Sequence, residues 1–391
     1  MPLNRLLLIL TLSFYLILTS LGCDSDGDPT PISQSANAPT TEPSATPTAQ
    51  PTVPSPTQPS PTPTVTPPGP LNLGPSVLVA NRASGSVSVI DADTDTVTQT
   101  IRMPQGTSSP QASYISYSVT QDRIYVGDDA NSRILVFSGE TLEHVDTLAM
   151  NQDVFHIWNN ETQLWAVDRV AEVTSVFELS TGNKLGDVPI PPDLELLGGQ
   201  PHDVAADADH AYVTVSGVTG DDFVVKYSTA TLTEVGRTPV GEDPHVTLHP
   251  TDNRIFVACQ ETDNVFVIDR TTMIESNEIP LLGGHGVWIP PQGQTLYVTN
   301  FPSHVTGGAP GPGADGLFSV DLGTETESGS LATDPQPHNL VSTPDGNKLY
   351  LTHSNSAELV TVFDISNPDG LPRNPSSITV GNVPFGIAFM P

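Results

Sequence analysis

The stretch Val77–Ile101, VLVANRASGSVSVIDADTDTVTQTI, holds three short runs of alternating residues, VLVAN, SVSVID and TVTQTI, separated by RASG and ADTD. Alternation with period two places successive side chains on opposite faces of an extended chain, and Gly- and Asp-rich spacers of four residues suit tight turns. The stretch therefore predicts three antiparallel β-strands in sequence order. Its first run has counterparts at IYVGD (Ile124), LWAVD (Leu164), AYVTV (Ala211), IFVAC (Ile255), LYVTN (Leu296) and LYLTH (Leu349). The spacings are 47, 40, 47, 44, 41 and 53 residues. Between the copies lie a Pro or Gly, one further short apolar run, and turns such as HPTDNR and TPDGNK. Four short strands in each unit of about 40–45 residues is the pattern of a propeller blade.

With LYVTN standing at Leu296–Asn300 and Val77–Ile101 reading as a near-consensus copy, residues 75–391 resemble the YVTN family of bacterial β-propeller repeats. The resemblance implies an all-β fold, a seven-bladed propeller of four-stranded antiparallel blades. It leaves function open, because propellers host many activities. The repeat enters at Val77 with a second strand and ends in PFGIAFMP with a first strand, so the C-terminal strand is expected to complete the first blade and leave no open edge.

The innermost strand of each blade starts at one mouth of the central channel. The seven starts are ASYISY with Ser113, FHIW with His156, PHDVA with His202, PHVTL with His245, GHGVW with His285, PHNLV with His338 and PFGIA with Phe385. Five consecutive blades carry histidine; His156 and His245 join the row with a shift of one or two residues. The second strand runs back antiparallel and ends beside these starts, so Asp128, Asp168, Cys259 and His353 are expected at the same mouth, with His353 beside His338 and Cys259 beside His245. His304 belongs to a loop on that face.

Outside the repeat the chain reads differently. Leu6–Leu18 is almost wholly apolar behind Arg5 and too short to span a bilayer, which predicts an export signal over residues 1–23. Its end, TSLGC, resembles the lipobox of bacterial lipoproteins and implies lipidation at Cys23. Residues 24–70, rich in Pro, Thr and Ser, lack the large apolar residues needed to offset ordering entropy and are expected to form a disordered stalk before the propeller at 71–391. The formal net charge of −31, from 44 acidic against 13 basic residues, excludes nucleic acid and anionic membrane surface as partners. A membrane is approached only through the lipid, and a monomer in the cell envelope, outside the cytoplasm, is expected.

The expected function is a binding or scaffold module for a protein or small-molecule ligand at the channel mouth lined by His156, His202, His245, His285, His338, His353, Asp128 and Asp168. An alternative is copper or zinc binding on His202, His245, His285, His338 and Cys259, since imidazole and thiolate suit those ions better than calcium or magnesium. That arrangement is distantly similar to nitrous oxide reductase, without its partner domain and with Ser113 and Phe385 interrupting the ring. A second alternative, implied by lactonase-like propellers, is hydrolysis with Asp128, Asp168 and the histidines as acid–base groups.

Overall fold

The computed structural model describes residues 69–300 and 315–391. The export segment, Cys23, most of the stalk and His304 lie outside the described residues. The described chain forms seven four-stranded antiparallel sheets. Their innermost strands are Pro384–Met390, Ala112–Ser118, Ile157–Asn159, Gln200–Ala206, Pro244–Leu248, Gly284–Trp288 and Pro337–Ser342, for the first to seventh blades. Each touches the next around a closed circle. The strand Pro384–Met390 pairs with Ser76–Asn81 and completes the first blade, as the repeat count requires. Among the described residues no helix is long and apolar enough to cross a membrane.

Alternation explains the packing. In the second strand of the fourth blade, Tyr212 belongs to the cluster shared with the fifth blade and Val213 to the cluster shared with the third. In the sixth, Leu296 and Val298 face the fifth blade while Tyr297 faces the seventh. Each middle strand is thus apolar on both faces, and the core is distributed over the blade interfaces. Outer strands such as Thr96–Arg102 bury one residue, Ile101, and are otherwise exposed.

Near the channel the first and second strands slip register, at Pro201/Val204, Gly284/Val287 and Pro337/Leu340. Each slip is a bulge that leaves a backbone N–H without a ladder partner. A threonine of the second strand accepts it: Asp203 N donates to Thr214 Oγ1 at 2.8 Å, Gly286 N to Thr299 Oγ1 at 2.7 Å and Asn339 N to Thr352 Oγ1 at 3.0 Å. Two of these hydroxyls then donate across the blade boundary, Thr299 to the His338 carbonyl at 3.0 Å and Thr352 to the Phe385 carbonyl at 2.9 Å. The fifth blade has Ala258 at this place and no slip. Close approach fixes Gly286 as well, since a Cβ there would lie 1.9 Å from the His338 carbonyl oxygen. Replacing Thr299 or Thr352 by valine should cost about 1–3 kcal/mol each, because a buried donor and acceptor lose their partner together. Urea midpoints check this, with the serine variants close to wild type.

Candidate functional site

The starts of the inner strands, bulged or not, converge at one mouth, and seven aromatic rings meet there, one from each blade. Ring centroids step from His156 to His202 at 5.8 Å, to His245 at 4.7 Å, to His285 at 4.0 Å, to His338 at 4.8 Å and to Phe385 at 4.0 Å. Tyr114 closes the circle, 5.2 Å from Phe385 and stacked on His156 at 3.7 Å. Where the sequence suggested a gap at Ser113, the next residue fills it; Ser113 Oγ instead donates to the Val154 carbonyl at 3.2 Å. His245 needs no register shift, since Pro244 pairs with Cys259 just as Pro337 pairs with His353. Further along the inner strands, Tyr117, Trp158, Trp288 and Phe389 wall a cavity of about 290 Å³ that His156 and His245 also line.

Two carboxylates missed in the sequence hold the histidines. Asp203 Oδ1 lies 2.6 Å from His156 Nδ1, and Asp243 Oδ1 lies 3.1 Å from His202 Nδ1. Asp203 Oδ2 accepts the Val246 N–H at 3.0 Å, which ties the fourth blade to the fifth. A carboxylate accepts only, so Nδ1 of each ring carries the proton and Nε2 is left as the ligand atom. The Nε2 atoms of His156 and His245 are buried without a hydrogen-bond partner among the described residues. Residues 201–203, PHD, carried a signal for this: a residue after a bulged histidine stays at the inner rim.

Electrostatics follow from burial. It pushes His245 and His338 well below the ordinary imidazole range, with neighbouring imidazoles adding to the effect. His285 falls to about 3, mainly through burial, against the pull of Asp243. Burial also lowers His156, and Asp203 opposes it. Burial alone would raise the Asp203 carboxyl, but the charge and hydrogen bond of His156, the Val246 N–H and His202 hold it below the usual carboxylate range. These neutral rings are lone-pair donors.

Four residues assigned to the mouth from the sequence do other work. Asp128 accepts from Gln111 N at 2.9 Å, Asn131 Nδ2 at 2.9 Å and Arg133 Nε at 2.8 Å. Asp168 accepts from Gln152 N at 2.7 Å and Ala171 N at 2.8 Å. Both pin the loops at the blade's edge, as Asn81 does through Gly381 N, and neither is joined to the histidines as lactone opening with these two acids would need. His353 holds the same position in its blade; its ring meets Thr361 Oγ1 at 2.8 Å and the Pro335 carbonyl at 3.2 Å. Cys259 is fully buried in the cluster between the fourth and fifth blades, and burial pushes its thiol up, which removes the thiolate that a soft metal would need. The physical reason is common to all four: side chains at the end of a second strand turn into the blade or its loops.

The residues that can hold an ion are therefore His156, His202 and His245, whose ligand atoms lie within 4.8 Å of one another, with Asp243, His245 and His285 as an overlapping set. Ligands about 2.0–2.1 Å from a tetrahedral ion lie about 3.3 Å apart, so the rings need only close slightly.

No protein-family model matches the chain, and no curated protein matches it. Solved structures do resemble it. The periplasmic gluconolactonase of Pseudomonas aeruginosa superimposes with a TM-score of 0.65 at 14% identity, over 81% of this chain and 99% of that one. A Bacteroides fragilis protein taken to be a 6-phosphogluconolactonase gives 0.62 at 17%, over 83% and 100%. The hydrazine synthase of Kuenenia stuttgartiensis gives 0.60 at 15%, over 78% and 98%. At these identities the likeness establishes the seven-bladed fold.

Proposed function

We propose that the protein is a ligand-binding propeller of the cell envelope whose ligand is a transition-metal ion, zinc or copper, held at the histidine mouth. One observation carries the reading: His156 and His202 are each aimed by a carboxylate on Nδ1, and the buried Nε2 atoms of His156 and His245 have no partner among the described residues. A buried polar atom without a partner costs about 1–3 kcal/mol, and coordination relieves it at two positions together. Imidazole-only sets favour zinc and copper over calcium and magnesium, and three histidines leave one position for an outside ligand. An export signal with Cys23 as its lipid anchor, and the stalk over residues 24–70, would hold the propeller away from the membrane, where such ions are scavenged or delivered.

Elemental analysis of the purified chain tests this. After zinc or copper loading and gel filtration we expect about one ion per chain. His202→Asn, a partly exposed position, should weaken binding at least 100-fold, and Asp203→Asn about 10–100-fold, with circular dichroism unchanged in the first. Membrane fractionation of wild type against Cys23→Ala reports the anchor in the same preparation. Folded, loaded protein that retains less than a tenth of an equivalent of either ion ends the proposal.

A further inference from the structure

The two blades that bring no histidine to the ring bring charge to its rim. Arg82 of the first blade pairs with Asp129 of the second. Asp129 lies close enough to Asp153, in the loop leading into the third blade, to raise its carboxyl, and Asp153 meets Arg169 Nε at 3.4 Å. The four side chains form an Arg–Asp–Asp–Arg chain across three blades. The chain sets two guanidiniums against two carboxyls. Burial and Asp129 raise Asp153 to about 6, so it is ionised at pH 7.5 and takes up a proton only on acidification.

Both guanidiniums lie over phenyl rings that touch the histidines. The Arg82 guanidinium carbon lies 4.9 Å from the Phe385 ring, which packs on His338. That of Arg169 lies 3.6 Å from the Phe155 ring, which is 4.8 Å from His156 and 5.5 Å from His202. Arg169 is 39% exposed, and among the described residues only its Nε is engaged by protein; its two terminal nitrogens face solvent at the mouth. A guanidinium seated over an aromatic face, with its fork open, is suited to a two-oxygen anion. The chain has only 13 basic residues against 44 acidic ones, and two of the 13 stand here.

We infer that the rim seats the carboxylate of a small organic acid, gripped by Arg169 with Arg82 beside it, while a donor atom at the acid's other end reaches the imidazole cluster. The inference rests on reading that cluster as a ligand seat, and it names the class of molecule that fills the outside position. Charge selects carboxylate over phosphate: a phosphate dianion would meet more repulsion than a monoanion from Asp203 and Asp243, which lie against the histidines.

Calorimetric titration with glycolate, acetate and inorganic phosphate at pH 7.5 tests it, on chelator-treated and on zinc-loaded protein, with metal content measured in parallel. We expect glycolate to bind loaded protein with Kd below roughly 1 mM, and acetate and glycolate to bind metal-free protein more weakly. Arg169→Gln should weaken both acids at least tenfold with metal content unchanged, and Arg169→Lys should restore only part. Carboxylate binding by metal-free protein that takes up no ion would support the seat while ending the metal reading. One ion per chain without carboxylate binding, wild-type affinity in Arg169→Gln, or phosphate binding tighter than either acid overturns the inference.

Discussion

Deleting residues 384–391 should leave a chain that does not fold to a monomeric propeller. The lost strand pairs with Ser76–Asn81 along its length and carries Phe385 and Met390, 8% and 3% exposed, with Ile387 and Phe389 packed against the cluster between the seventh and first blades. A buried apolar side chain contributes about 1.5–3 kcal/mol, so two full and two partial burials amount to about 5–8 kcal/mol before any lost backbone pairing. Whole-domain stability is about 5–15 kcal/mol. The strand Ser76–Asn81 would also become an unpaired edge open to other chains. Size-exclusion chromatography should show aggregate, and a synthetic peptide of residues 381–391 added during refolding should recover monomer. A truncated chain that elutes as a monomer with a cooperative melt would mean that closure contributes little.

Acidification supplies the second large effect. His245, His285 and His338 are depressed in the folded protein, so below the ordinary imidazole value the unfolded chain takes up protons that the folded chain refuses. Stability is complete above pH of about 6.5 and falls as pH drops below it. Each group costs about 1.4 kcal/mol by pH 5.5, and three cost about 4 kcal/mol. His156 and His353, also depressed, add to the loss. Asp153 acts the other way: its raised value means the folded state gains a proton as pH falls through about 6, which returns about 1 kcal/mol. Asp203 is held low, so its contribution is lost only below the usual carboxylate range and leaves this window untouched. Urea midpoints of chelator-treated protein at pH 7.5, 6.5 and 5.5 should therefore fall steadily, and His285→Gln/His338→Gln should lose about half of the slope. A flat profile in wild type would show that the rings are solvated.

The blades were legible because their signal is local. Alternation in Val77–Ile101 and its copies fixes strand, turn and order without any distant contact, and the C-terminal PFGIA needed only counting to be placed. The histidine row was legible for the same reason, since four of its five histidines directly follow a Pro or Gly at the start of an inner strand, His156 being the exception. What the sequence could not show depends on the bulge and on ring closure. Asp203 reaches His156 only because the slip at Pro201/Val204 keeps two consecutive residues at the inner rim. Tyr114 replaces Ser113 because the second blade slips between Ala112 and Ile115. Arg82, Asp129, Asp153 and Arg169 come from loops of three blades, and no spacing along the chain brings them together. Asp128, Asp168, Cys259 and His353 were misplaced by one assumption, that a strand ending near the channel points its last side chain into it.

The pairing of Pro384–Met390 with Ser76–Asn81 also sets a clock. Phe385, on a strand that follows every histidine in the chain, is one of the seven rings at the mouth, and it supports both His338 and the Arg82 guanidinium. A nascent chain holds every histidine before it holds this strand, yet it cannot assemble the ring until Pro384–Met390 is made. The seat at the mouth is thereby postponed until this strand has docked on Ser76–Asn81, and an ion met earlier finds scattered imidazoles.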